Sequence, residues 1–128
     1  MFLVQTPRAP GGAILAMSSG ALTPEELETL LEDAFVVRDR TALAGLFETD
    51  GLVAAAGAAA RGADIEAFLA ALWARDVTYL AQPRRVLQAG NTALIVAEQS
   101  ISVVHRAADT RWRYAIALLN PNTEESTP

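Results

Sequence analysis

Leu27, Leu30, Leu31, Ala34 and Phe35 recur at the spacing of one helix face, which runs on to Arg38. Asp39 interrupts this face, and Leu43, Leu46 and Phe47 resume it. The pattern therefore predicts one helix ending and a second beginning. Upstream, Thr23-Pro24-Glu25-Glu26 places a hydroxyl at the N-cap, proline at the first helical position and glutamate at the third, which is a capping box. After Asp50-Gly51, residues 52–56 read as a short strand bounded by Gly57. Ile65, Phe68, Leu69, Leu72 and Trp73 form the buried face of a third helix starting near Ala63, with Asp64 and Glu66 at its positive end.

Beyond the third helix the period changes to that of strands. Residues 77–87, interrupted by Pro83, form the first; residues 92–106 follow an Ala89-Gly90-Asn91 turn; residues 111–119 follow a loop of residues 107–110. Asn120-Pro121-Asn122 stops the last strand. Three helices followed by antiparallel neighbours predict an α+β domain, its helices packed on a curved, mainly antiparallel sheet. The domain spans residues 22–121, after an arm of residues 1–21 and before a polar, disordered tail of residues 122–128. Phe2-Leu3-Val4 is cut off by Pro7-Arg8-Ala9-Pro10-Gly11-Gly12, the wrong order for a secretory signal. The arm reads as flexible, as sequence ahead of a start at Met17, or as a segment lying over a partner or pocket.

A loop of residues 107–110 would set Arg106 opposite Arg111 and assign each position of the last strands to a face. One face then carries Ile95, Ile101, Val103 and His105 beside Trp112, Tyr114, Ile116 and Leu118. The other carries Glu98, Ser100, Ser102 and Val104 beside Arg113, Ala115 and Ala117. The small, polar face looks at water or lines a cavity, while the bulky face must be covered, either by the helices or by a second subunit.

Composition narrows the chemistry. Of 128 residues none is cysteine, so disulfides, thiolate metal sites and a cysteine nucleophile are excluded. Acidic residues outnumber basic ones 15 to 10, for a formal charge of -5, and the basic ones are scattered, so nucleic acid is not an expected partner. The 52% hydrophobic fraction is spread over short segments, none near the roughly 20 apolar residues of a membrane span. A soluble, cytoplasmic protein is expected.

Asp33-Ala34-Phe35, Arg38-Asp39, Ala42-Leu43, Leu46-Phe47, Asp50-Gly51 and Arg61-Gly62 fall in an order similar to one known superfamily. So do Phe68-Leu69, Pro83-Arg84-Arg85-Val86, Thr92-Ala93-Leu94-Ile95-Val96 and Trp112-Arg113-Tyr114. Together they resemble the nuclear transport factor 2-like superfamily, and within it the SnoaL-like and ketosteroid-isomerase-like domains. The resemblance implies a cone-shaped, cystatin-like fold, a pocket between the helices and the concave sheet face, and a dimer through the opposite face. It places Leu94, Val96, Glu98 and Ser100 on the pocket side. It also puts Leu31 at the position of the isomerase tyrosine and Ala55 at that of the catalytic aspartate, and Ile116-Ala117-Leu118-Leu119-Asn120-Pro121 lacks the aspartate that relatives carry there. The usual catalytic carboxylates and phenol are therefore absent from their expected places.

Glu98 is then the only carboxylate expected on the pocket face, as an acid or base with a raised pKa or as an ion-pair partner of Arg113. Ser100 and Ser102 lack a histidine on their face, and His105, the single histidine, is expected to be structural beside Trp112. The expected pocket is lined by Leu31, Phe35, Trp73 and Tyr79 from the first half and its junction. From the sheet come Val96, Glu98, Ser100, Ser102, Arg113, Ala115 and Ala117. The reading is a homodimeric pocket domain for a small apolar molecule, without metal or cofactor, joined through Ile101, Val103, Trp112, Tyr114 and Ile116. Its alternatives are an isomerase or cyclase using Glu98, and a dimerisation module whose pocket is filled.

Overall fold

A computed structural model describes residues 20–75, residue 79 and residues 81–120. Helix α1 (Pro24–Val37) starts at the expected cap: Thr23 Oγ1 accepts from the Glu26 amide at 3.0 Å, and Glu26 Oε1 accepts from the Leu22 amide at 2.7 Å. It ends where Arg38 turns left-handed, with φ 55°. Asp39 at once caps α2 (Arg40–Gly45), its Oδ1 accepting from the Ala42 amide. Strand β1 (Phe47–Ala55) and β2 (Ala58–Arg61) form a hairpin around Ala56-Gly57, both with positive φ. A 3-10 turn (Gly62–Asp64) leads into α3 (Ile65–Trp73). Then come β3 (Pro83–Ala89), β4 (Thr92–Ala97), β5 (Ser100–Arg106) and β6 (Trp112–Leu119).

The six strands lie in the order β2-β1-β6-β5-β4-β3, antiparallel except for the β1–β6 pair. The helices pack on one face of this curved sheet. Leu27, Leu31, Ala34 and Phe35 of α1 and Ile65, Leu69, Leu72 and Trp73 of α3 are buried there. Among the described residues no helix is long and apolar enough to cross a membrane.

Four features differ from the sequence expectation. The Ala56-Gly57 turn adds β2, which a two-residue turn without asparagine or aspartate did not announce. Residues 92–106 are not one strand: a tight turn at Glu98-Gln99 pairs Val96 with Ile101, which sets Ile95 against Ser102 and away from Ile101. The loop before β6 runs over residues 107–111, one residue longer than expected. Thr110 donates to the Ala107 carbonyl at 2.8 Å and adopts φ 66°, while Ala107 donates to Arg111 at 2.9 Å, so Arg106 pairs with Trp112 rather than Arg111. Finally, Ala115 is an unpaired bulge, since Val104 faces Tyr114 while Val103 faces Ile116.

The last two shifts have opposite consequences for side-chain direction. Between loop and bulge, Trp112 and Tyr114 turn to the helix side, 1% and 0% exposed. Past the bulge, Ile116 and Leu118 return to the open side with Ile101 and Val103. Trp112 and Tyr114 thus leave the expected outer interface and become core.

The chain ahead of α1 is also anchored at its last residues. Ala21 forms a bridge with Trp112, its amide donating to the Trp112 carbonyl at 3.2 Å and its carbonyl accepting at 2.7 Å. At Gly20, φ is 94°, and a Cβ would lie 3.0 Å from the Arg111 Cβ and 3.1 Å from the Trp112 carbonyl oxygen, so glycine suits this approach. The rest of the arm, the tail beyond Asn120 and most of residues 76–80 lie outside the described residues.

Candidate functional site

On α1, Glu28 lies one helical turn before Leu31 and two before Phe35, which points its side chain at the sheet. It is fully buried. Tyr114, brought inward on β6, donates to Glu28 Oε2 at 2.5 Å, and Tyr79 donates to Oε1. Tyr79 also bonds Ser100 Oγ on β5 at 2.8 Å. The Tyr79 proton is directed at Glu28, so Ser100 supplies the proton of that contact. The result is an oriented chain, Ser100 to Tyr79 to Glu28, met from the other side by Tyr114.

Burial raises the Glu28 pKa above the ordinary 4.5, and the bonds from Tyr114 and Tyr79 oppose that rise because they favour the charged form. Burial likewise lifts the Tyr114 and Tyr79 phenols above their ordinary value of 10.0, with the Glu28 charge adding to the effect. Both phenols stay protonated donors. Rings enclose this polar centre: Phe35 meets Trp73 edge-on at 5.9 Å and Tyr79 at 6.2 Å, and Phe47 lies 5.1 Å from Tyr114.

Among the described residues three buried side-chain atoms have no hydrogen-bond partner, Ser102 Oγ, Trp73 Nε1 and, at the 98–99 turn, Gln99 Oε1. Ser102 is fully buried on the inner face of β5, two residues from Ser100 and between Ile95 and Ala117. A buried hydroxyl without a partner costs about 1–3 kcal/mol, so such atoms mark places where a further polar group fits.

Of the residues expected to line a pocket, Leu31, Phe35, Trp73, Tyr79, Ser100, Ser102 and Ala117 come together in this interior. The others do not. Val96 lies on the open face opposite Ile101 because the 98–99 turn reverses the phase inferred from a continuous strand. Glu98 sits in that turn, exposed, and its Oε1 is bonded by Arg84 at 2.6 Å. Arg113 faces out beside His105 and pairs with Asp109 at 2.7 Å, not with Glu98. Its bond holds the Asp109 carboxyl below the usual range. Ala115 is the bulge. His105 lies on the open face and contacts Glu48 at 3.2 Å, apart from Trp112. The Glu98-based acid or base is therefore excluded from the interior by its position on a solvent-facing turn.

Glu28 was not singled out from the sequence, because a glutamate within a helix is ordinarily solvated. Its spacing to Leu31 and Phe35 was the available signal, since positions three and seven residues apart share a helix face.

No family model matches the chain, and no curated protein matches it. Solved structures do resemble it. A ketosteroid isomerase-like protein from Erwinia carotovora atroseptica is 18% identical over 77% of this chain and 93% of its own, with a TM-score of 0.64. An NTF2-like protein with a cystatin-like fold from Novosphingobium aromaticivorans is 20% identical over 89% of each chain, with a TM-score of 0.63. An NTF2-like protein of unknown function from Shewanella oneidensis is 12% identical over 74% of this chain and 93% of its own, with a TM-score of 0.53. At these identities the likeness is one of fold.

Proposed function

We propose that this domain of nuclear transport factor 2-like fold binds a small, mostly apolar molecule in the interior between its helices and sheet, and works as a homodimer. The observation carrying the first half is the unpartnered, fully buried Ser102 Oγ beside the Ser100–Tyr79–Glu28–Tyr114 chain. Polar atoms few in number and set among apolar and aromatic side chains are the usual composition of a small-molecule site. The Leu31 and Ala55 positions are apolar and buried, so the polar work falls to Glu28 from the helix rather than to a strand carboxylate.

Support for the second half comes from the open sheet face. Leu87, Leu94, Val103, Ile116 and Leu52 align across five strands, and Val96, Ile101, Leu118 and Ala54 form a parallel row. Leu87 and Ile101 are 49% exposed, Leu118 47% and Ile116 38%. A continuous apolar face of this kind is rarely left to water in a monomer. The expected interface keeps Ile101, Val103 and Ile116 and exchanges Trp112 and Tyr114 for Leu118 and Leu94. A cytoplasmic setting belongs to the same proposal.

The test uses 2-phenylethanol as a neutral probe, followed by calorimetry and by Trp73 and Trp112 fluorescence. Saturable binding by the full chain, abolished in a folded Ser102→Leu variant that fills the interior, is expected. Absence of saturable binding overturns the pocket reading and leaves the dimerisation module with a filled interior. Light scattering at tens of micromolar should give twice the chain mass, and a monomer there overturns the dimer.

A further inference from the structure

Among the described residues, the groups that hydrogen-bond the buried Glu28 carboxyl are neutral. Tyr79 and Tyr114 each bond a different Glu28 oxygen, an arrangement that solvates the ionised form. Neither phenol supplies a counter-charge. Removing a carboxylate from water without a cation costs several kcal/mol, which is why burial works against the two phenols here. A positive group brought beside Glu28 would tip that opposition.

The acceptors for such a group are also in place. A carboxylate has about four lone-pair sites, and the phenols occupy two of Glu28's. Ser100 gives its proton to Tyr79 and keeps its oxygen lone pairs, and Ser102 Oγ, fully buried, has no partner at all. An ammonium brings three donors and no acceptor, so a carboxylate and two serine oxygens match it.

Resting on the pocket reading above, we infer that the molecule bound is a small primary amine on an apolar body, its ammonium held by Glu28, Ser100 and Ser102. The titratable groups facing Glu28 are Tyr79 and Tyr114, both protonated; Glu32, one turn along α1, accepts from the Ala81 amide. The amine therefore meets one ionisable acid.

The test compares 2-phenylethylamine, 2-phenylethanol and 3-phenylpropionate, which share a body and differ in head group, by calorimetry on the full chain. The amine should bind at least about tenfold tighter than the alcohol, a difference of about 1.4 kcal/mol. Glu28→Gln should remove the preference for the amine over the alcohol. If that variant does not fold, Ser102→Ala, which keeps the acid, should weaken the amine several-fold more than the alcohol. Alcohol binding equal to or tighter than the amine's overturns the amine assignment and leaves the pocket standing, as does a preference for the carboxylate. Failure of all three probes overturns both.

Discussion

On the sheet face beneath the helices, Ser100, Ser102 and Tyr114 direct oxygen atoms into the interior, whereas on the open face Ile101, Val103, Ile116 and Leu118 meet solvent. The same two strands, β5 and β6, thus carry polar side chains where water is excluded and apolar ones where it is not. The inner face can hold its oxygens because Glu28 and Tyr79 complete most of their bonds. Among the described residues the open face has no such compensation. Burial and polarity are therefore separate quantities here, and each face has its own mismatch, which the proposed small molecule inside and the proposed second copy outside would relieve.

Two neighbouring residues can break this comparison most severely. Ala117 points inward against Ser102 and Val53, and Ile116 points outward against Val103 and Leu52. Ala117→Asp should lose about 3–5 kcal/mol or prevent folding, because it buries a second acid beside an interior with no cation. Ile116→Glu should leave the monomer fold within about 1 kcal/mol and abolish the dimer. Urea unfolding and light scattering on both variants separate the two outcomes; equal destabilisation would mean that the faces are not distinct.

A smaller effect sharpens the inner face. Tyr114→Phe removes the donor to Glu28 Oε2 and should cost about 1–3 kcal/mol in urea unfolding. The acid also sets a pH dependence whose sign follows from its raised pKa. In the unfolded chain Glu28 titrates near the ordinary 4.5, and in the folded protein it keeps its proton to higher pH. Between those two values the folded state binds more protons, so stability falls as pH rises through the window, by at most about 1.4 kcal/mol per unit. Stability of the wild type relative to Glu28→Gln should decline from pH 4.5 upward. A flat difference would show that the carboxyl is ionised throughout.

The smallest expected effect concerns Glu98. Its pair with Arg84 is between side chains 48% and 66% exposed, so Glu98→Gln should change stability by less than about 1 kcal/mol and leave binding of 2-phenylethanol unaltered. A clear loss of binding would return this residue to the interior and undo the assignment of the turn.

Much of this architecture was legible from local chemistry. Thr23 and Asp39 are strong caps, and both start helices where their side chains predict. The inward positions of Leu31, Phe35 and Trp73 followed from helical spacing, and those of Ser100, Ser102 and Ala117 from strand alternation joined to the family resemblance. The errors arose where a turn uses residues that many other structures also use. Glu98-Gln99 contains none of the glycine, proline or asparagine that mark hairpins, and Thr110 takes a left-handed position usually filled by glycine. Strand alternation carries no memory of such a turn, so a single missed residue reverses everything beyond it. Glu28 was hidden for another reason. A glutamate in a helix is ordinarily solvated, and although its spacing puts Glu28 on the buried face, the partners that hold it there are 51 and 86 residues away.

The bulge at Ala115 makes this molecule unequally tolerant of two kinds of genetic change. A substitution at Ala115 alters one half-exposed methyl group, whereas its deletion would rejoin Tyr114 to Ile116 with the wrong parity. Either Trp112 and Tyr114 would swing to solvent, stripping Glu28 of a donor and Ala21 of its bridge, or Ile116 and Leu118 would turn under the helices. Length is thus the conserved quantity to expect in this strand: descendants of this chain can vary residue 115 freely so long as some residue stands there.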